Sequence, residues 1–123
     1  MEGINSTIKT YGNHESIQKE GTNLFGLLQG DTVEVALYTL YSDEYSLKEG
    51  RCIPMTLRYD NLSYIFIQEE LNLWGEEKSL QEAEEAIASA IVKLYKRLSE
   101  LNRKNKLGPY PAEQLSYLKQ YID

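Results

Sequence analysis

Hydrophobic positions between residues 80 and 101 recur at steps of three and four, as on one face of an amphipathic helix. They are Leu80, Ala83, Ile87, Ile91, Leu94, Leu98 and Leu101. Ser79 and Glu82 form a Ser-x-x-Glu capping box directly before this run. Glu82, Glu84 and Glu85 stand near the positive end of the helix dipole, where acidic side chains are favourable. The pattern predicts one long helix that begins after Ser79.

Earlier segments are rich in β-branched and aromatic residues, which is typical of strands. Residues 32–41 form the first predicted strand, and residues 52–59 and 62–68 form a hairpin around the turn Asp60-Asn61. The predicted cross-strand pairs are Tyr59 with Leu62, Leu57 with Tyr64, and Met55 with Phe66. These six side chains are expected on the face of the sheet that receives the long helix.

The opposite face of the hairpin carries Ile65 and Ile67 on adjacent same-face positions, which is unusual for a surface open to solvent. The N-terminal arm, the last helix or another subunit could cover them. Tyr38 lies in the first predicted strand, and Trp74 lies in a short fourth one at residues 71–74. Because tyrosine and tryptophan suit protein interfaces as well as half-buried strands, we take Ile65, Ile67, Tyr38 and Trp74 as candidate partner-binding residues.

The chain of 123 residues is long enough for one domain with its own core. Residues 1–30, rich in Gly, Asn, Ser, Thr and Lys, predict a flexible N-terminal arm. Residues 31–123 predict a single α+β domain. We expect a small antiparallel sheet of three to four strands, one long amphipathic helix on one face, and a short C-terminal helix over residues 112–122.

Residues 71–83, LNLWGEEKSLQEA, resemble the strand-turn-helix signature of the HicB-like antitoxin family. The matching positions are Gly75, Ser79 (for Thr), Glu82 and Ala83. The sequence departs from the family at Glu77 and Lys78, where Gly-Asp is usual, so the tight turn lacks its glycine. The resemblance covers residues 53–98 and is mostly a fold signature, because each matched residue serves a turn, a cap or a helix start.

The resemblance implies a small antiparallel sheet with the helix packed across one face. Better-known members of the family are antitoxins that bind and mask a small RNA-cleaving toxin, and many relatives are orphans without an assigned role. We therefore expect a non-catalytic protein-interaction module, either orphan-type or antitoxin-like. The expected partners are other copies of the chain, in a dimer or larger homo-oligomer, and a small basic toxin-like protein.

A nucleic-acid-binding protein is the first alternative. The positive cluster consists of Lys93, Lys96, Arg97, Arg103, Lys104 and Lys106. Basic residues at the end of a helix also complement its dipole, and the net charge of −6 argues against a protein that mainly neutralises phosphates. No helix-turn-helix pattern follows the long helix, so the autoregulatory DNA binding of some HicB-like proteins is not expected.

A small enzyme with a dispersed acidic site is the third hypothesis. His14 lies in the predicted arm without a nucleophile, and Cys52 beside Arg51 has the character of a small buried strand residue. The carboxylates that flank the predicted strand at residues 71–74 are Glu69, Glu70, Glu76 and Glu77. Since neighbouring strand residues point to opposite faces, neither pair converges on one cation. We expect no catalytic residue, cofactor or metal site.

The location predicted from the sequence is the cytoplasm. The N-terminus lacks the basic-then-apolar layout of a signal peptide, and no apolar run approaches the length of a membrane span. The single cysteine, Cys52, cannot form an internal disulfide.

Overall fold

The computed structural model describes residues 27–123, so the arm predicted over residues 1–30 lies mostly outside the described part. The elements are β1 (Thr32–Leu37), β2 (Ile53–Asp60), β3 (Ser63–Gln68), β4 (Leu73–Glu77), α1 (Leu80–Arg103) and α2 (Pro109–Lys119). This order confirms the predicted α+β fold with one long and one short helix. Neither described helix is long and apolar enough to cross a membrane.

The four strands form one antiparallel sheet in the order β1-β2-β3-β4. Burial alternates along β2, as expected when one face of a sheet lies against a core. The buried hydrophobic residues of this inner face are Val35, Leu37, Ile53, Met55, Leu57, Tyr59, Tyr64 and Phe66. The chain just before β1 also packs on β2, because Leu27 is buried and the Gly30 amide donates to the carbonyl of Tyr59 at 2.7 Å.

The hairpin prediction was right about the buried face but wrong about the register. The observed pairs are Tyr59 with Tyr64 and Leu57 with Phe66, so neither Leu62 nor Met55 has the predicted partner. The turn is Asn61-Leu62, and both residues have a positive φ (52° and 60°), as a two-residue type I′ turn requires. Asp60 stays in the strand because its carboxylate accepts hydrogen bonds from Arg58, at 3.1 Å, and from Gln29.

Moving the turn by one residue changes the register by two positions, which leaves every side chain on the same face. The hydrophobic pattern alone therefore could not distinguish the two registers. Leu62, expected on the inner face, is 70% exposed at the tip of the turn.

The long helix begins and runs as predicted. Ser79 is its N-cap, and the Ser79 hydroxyl accepts a hydrogen bond from the backbone N–H of Glu82 at 3.1 Å. The Ser79 hydroxyl also donates to the Glu82 carboxylate at 3.1 Å. The buried stripe of α1 consists of Ala83, Glu84, Ile87, Ala88, Ile91 and Leu98. Apart from the glutamate, this stripe is the hydrophobic surface that packs on the sheet.

The closest approach of sheet and helix is at Gly75 in β4. A Cβ atom placed on Gly75 would lie 2.7 Å from the backbone nitrogen of Ile87 and 3.1 Å from the carbonyl oxygen of Ala83. Only a residue without a side chain fits at this distance. The strand predicted over residues 71–74 was placed too early, because β4 begins at Leu73 and continues through Gly75 to Glu77.

Two buried glutamines attach the β3–β4 connection to the rest of the core. The Gln68 side-chain amide nitrogen lies 3.1 Å from the carbonyl oxygen of Pro54 and 2.9 Å from the hydroxyl of Tyr117 on α2. The Gln68 side-chain oxygen accepts from the Leu71 amide at 2.9 Å. Gln114 of α2 donates to the carbonyl of Leu71 at 3.1 Å. Leu71 is 1% exposed, so these bonds hold a buried turn against α2.

The C-terminal helix begins three residues earlier than predicted, at Pro109 rather than at residue 112. Proline fits the first turn of a helix, where a backbone N–H has no partner within the helix. Leu115, Leu118 and Ile122 are buried, as predicted, but Ile122 lies beyond the helix in a β-bridge with Leu47.

Candidate interaction surface

The side of the sheet that faces away from α1 forms a mixed surface, which we call the outer face. Two cross-strand rows define it: Glu34–Thr56–Ile67–Trp74 and Thr32–Arg58–Ile65–Glu76. Residues directly opposite each other on neighbouring strands share a face, so each row brings four side chains together. Ile65 and Ile67, which the sequence singled out, lie at the centre of this surface.

Trp74 is the most exposed of its hydrophobic side chains. It is 64% exposed, although it stands directly opposite Ile67 on the neighbouring strand. Ile65 and Ile67 are half-buried. Within the part of the chain that the structure describes, no helix or strand packs across these residues, since α1 contacts the sheet from the side of Gly75. A tryptophan and two isoleucines on one flat sheet face are typical of a protein-contact surface.

Carboxylates border this apolar centre. Glu76 lies opposite Ile65, and Glu34 ends the row that contains Ile67. A shallow cavity of about 230 Å³ adjoins Ile67 and is lined by Glu34, Glu69 and Glu70 among others. The one arginine of the rows, Arg58, forms an ion pair with Asp60 at 3.1 Å. The outer face therefore combines an apolar centre with an acidic border.

Tyr38, the fourth candidate partner-binding residue, is not part of these rows. It follows the last residue of β1 and is 46% exposed. Its side chain lines a different cavity, of about 500 Å³, which is formed by the β1–β2 connection and also includes Cys52. Cys52 is half-buried. The structure thus brings together three of the four candidates.

The basic cluster lies on the exposed side of α1 and just beyond its end. Within residues 27–123, three of its six members form ion pairs: Lys96 with Glu44 at 2.8 Å, and Arg103 and Lys104 with Glu100 at 3.5 and 3.3 Å. Lys93, Arg97 and Lys106 are exposed as well. The nearby carboxylates reduce the positive field that a phosphate backbone would meet.

The acidic residues considered for a small enzyme do not form a metal-binding group. Among residues 27–123, no three His, Cys, Asp or Glu side chains are placed to hold a metal ion. Glu69, Glu70, Glu76 and Glu77 are all exposed. His14 lies outside the described residues.

One buried acid was missed by the sequence reasoning. Glu84 is 0% exposed, and its Oε1 accepts a hydrogen bond from the hydroxyl of Tyr41 at 2.8 Å. The pKa of Glu84 is raised to about 7, because the increase from burial, to which the neighbouring Glu85 carboxylate adds, exceeds the decrease from the hydrogen bond of Tyr41. The available signal was spacing: Glu84 lies three residues before Ile87 and seven before Ile91, so it belongs to the buried stripe.

No protein-family model matches this chain, and none of the curated proteins or solved structures matches it.

Proposed function

We propose that this protein is a non-catalytic, HicB-like interaction module that binds a small basic partner protein through the outer face of its sheet. The observation that carries the proposal is Trp74, which is 64% exposed directly opposite Ile67. A large aromatic side chain in that position gains the most from burial by a partner, since tryptophan dominates the binding energy of many interfaces.

The apolar centre of the outer face would become the desolvated centre of the interface with the partner. Ile65 and Ile67 are half-buried by their strand neighbours, so a partner would complete their burial at little cost in side-chain entropy. Interfaces of this kind have a desolvated centre and a polar border, and the outer face has the same arrangement.

The acidic border favours a basic partner. Glu76 lies beside Ile65, and the cavity next to Ile67 has glutamates in its lining, so a lysine or arginine side chain could enter it while apolar groups cover the isoleucines. The net charge of −6 for the whole chain would also attract a basic protein over longer distances.

The resemblance of residues 71–83 to the HicB-like signature supports the antitoxin-like form of this proposal. In the structure the matching residues have structural tasks: Gly75 allows close packing on α1 and Ser79 caps the helix. These residues bear on the fold, whereas Trp74, within the same stretch, lies on the outer face. A second copy of the chain is the competing occupant of that face.

The experiment compares the wild-type chain with Trp74→Lys and with Ile65→Lys/Ile67→Lys in an affinity purification from the native host. Tyr110→Lys is the matched control, because Tyr110 is 53% exposed but lies on α2. Any captured protein is then produced separately, and its complex with each variant is measured by isothermal titration calorimetry. All variants are first checked by circular dichroism.

We expect one small basic protein that binds the wild type and Tyr110→Lys with equal affinity, and both outer-face variants at least tenfold more weakly. Equal binding to all variants would overturn the assignment of the surface. If light scattering shows a wild-type dimer that Trp74→Lys converts to a monomer, the outer face is a seam between copies and the antitoxin-like proposal fails.

A further inference from the structure

The connection between β1 and β2, residues 38–52, is attached to α1, to the end of α2 and to the residues after it. On α1, Tyr41 contacts Glu84, Glu44 forms an ion pair with Lys96 at 2.8 Å, and the Tyr45 ring lies edge-to-face on Tyr95. At the C-terminus, Leu47 forms a bridge with Ile122, the Lys48 amide donates to the carbonyl of Tyr121 at 2.7 Å, and Lys48 Nζ donates to the carbonyl of Lys119 at 2.8 Å. The Tyr41 attachment is the one that buries a titratable group.

The Glu84 carboxyl group is poorly supported for carrying a charge. Its Oε1 has the Tyr41 hydroxyl as donor, whereas its Oε2 is buried and has no hydrogen-bond partner among the described residues. The charged neighbour that acts on it is Glu85, a like charge on the same helix. Lys93 and Lys96 line the same groove as Tyr41, but they lie 9 and 12 residues along α1, about 14 and 18 Å away at the helical rise, and Lys96 is paired with Glu44. Among residues 27–123, an ionised Glu84 would therefore be a buried charge with one donor and no adjacent counter-ion.

The backbone of Tyr41 is also in a rarely populated conformation. Its φ is 53°, in the left-handed region, which costs energy for a residue with a side chain. The contact with Glu84 and the packing around it offset this cost. When that contact weakens, the backbone of Tyr41 can return to a more populated conformation.

We propose that the Tyr41–Glu84 contact is a pH-dependent latch that holds residues 38–45 against α1 while Glu84 is protonated and releases them when Glu84 ionises. The Glu84 carboxylate then gains water in place of its buried surroundings. Release of residues 38–45 also breaks the Glu44–Lys96 ion pair and the edge-to-face contact of Tyr45 with Tyr95, both of which hold this segment on α1. The bridge of Leu47 with Ile122 lies beyond the released part, so the opening stops there.

Release of the latch would widen a groove between this connection and α1. The groove has a volume of about 580 Å³, and its lining combines Leu40, Tyr41 and Val92 with polar and charged residues: Ser42, Ser89, Glu85, Lys93 and Lys96. Leu40 is 2% exposed in the closed state. Opening would therefore expose Leu40 in a groove that is distinct from the outer face, and the latch does not depend on the proposed partner.

The pH range over which the latch operates follows from the pKa of Glu84 in the open and in the closed state. An exposed glutamate has a pKa near 4.5, and burial raises the pKa of Glu84 to about 7 in the closed state. Between pH 4.5 and pH 7, Glu84 is therefore protonated in the closed state and ionised in the open state. We expect the equilibrium constant for opening to rise about tenfold per pH unit between pH 5 and 6.5 and to level off above pH 7.

Hydrogen-deuterium exchange of the full chain between pH 5 and 8 tests the latch, after correction for the intrinsic pH dependence of exchange. Protection of amides 41–45 should fall about tenfold per pH unit below pH 7 in the wild type, while the β2–β3 hairpin stays unchanged. Glu84→Gln keeps an acceptor for Tyr41 but cannot ionise, so its protection should not depend on pH. Tyr41→Phe should lower protection at every pH and keep the slope.

Constant protection of residues 41–45 in the wild type would overturn the latch, and this measurement needs no variant. An equal loss in the hairpin would show general destabilisation instead. A Glu84→Gln protein that retains the wild-type slope would show that another group is responsible.

Discussion

Tyr41 donates its phenol hydrogen to Glu84 Oε1 at 2.8 Å, although the two residues lie 43 positions apart in the chain. This bond joins the connection after β1 to the buried stripe of α1. It places an acid in a core that is otherwise almost entirely hydrophobic, with Ile87 and Ile91 on the same stripe at 0% exposure. The pH dependence of stability should therefore depend on Glu84.

We expect the free energy of unfolding to contain a term that decreases from pH 4.5 to pH 7. Glu84 in the unfolded chain loses its proton near pH 4.5, whereas the folded protein keeps it up to about pH 7. The folded state is therefore favoured below pH 4.5, and this advantage is lost as the pH rises to 7. At about 1.4 kcal/mol per pKa unit, the difference amounts to about 3 kcal/mol.

Urea unfolding of the wild type and Glu84→Gln across this range measures that term. The difference in free energy between the two proteins should change by about 2–3 kcal/mol from pH 4.5 to pH 7.5. Glu113→Gln is the matched control, because Glu113 is an exposed glutamate on α2. Parallel curves for wild type and Glu84→Gln would show that the acid is not buried as described.

Gly75→Ala should destabilise the protein by about 1–3 kcal/mol, because the added Cβ would lie 2.7 Å from the backbone nitrogen of Ile87. Backbone atoms cannot move aside as a flexible side chain can, so α1 and β4 must separate. Thermal or urea unfolding measures the loss. Gly108→Ala is the comparison, since its Cβ would have no atom nearer than 3.9 Å, and it should cost under about 1 kcal/mol. Equal losses would show that the close approach is not limiting.

Gln68→Met should cost about 2–3 kcal/mol, although it preserves the length of the side chain. The amide of Leu71 and the carbonyl of Pro54 would lose their partners inside the core. Chemical denaturation measures the loss, and the exposed Gln120→Met serves as the control. A change below about 0.5 kcal/mol would indicate that water replaces these bonds.

The sequence correctly predicted the features that depend on hydrophobic periodicity and on helix capping. The capped helix at Ser79 and the inner face of the hairpin were correct, because burial of one face imposes a period of 3.6 or 2. The register was not determined by that pattern, since Asp60-Asn61 and Asn61-Leu62 place every strand residue on the same face. The contacts of Asp60 with Arg58 and with the distant Gln29 decide between them.

Glu84 shows a second limit of sequence reasoning. As one acid among Glu82, Glu84 and Glu85 it resembled an ordinary helix-start residue, and its partner Tyr41 lies in an irregular segment. A contact across 43 residues has no local signal. On the outer face, Ile65, Ile67 and Trp74 were expected to bind a partner, and the structure places them side by side because β3 and β4 pair in register. Whether a partner binds there stays a prediction.

The basic cluster allows a direct test of the nucleic-acid alternative. Because Arg103 and Lys104 already lie within 3.5 Å of the Glu100 carboxylate, we expect no salt-sensitive binding of labelled RNA or duplex DNA at micromolar protein. Fluorescence anisotropy at low and physiological salt measures it. Tight binding that Arg103→Ser/Lys104→Ser abolishes would instead support the alternative function.

Trp74 is the single tryptophan of the chain, so its fluorescence reports on the outer face alone. The decisive measurement is its emission spectrum and acrylamide quenching, first in the isolated protein over a dilution series and then during titration with the captured partner. We predict an exposed, readily quenched tryptophan that becomes blue-shifted and protected as the partner saturates. A partner that binds while the spectrum and quenching of Trp74 stay unchanged would contradict the assignment of the outer face as its binding surface.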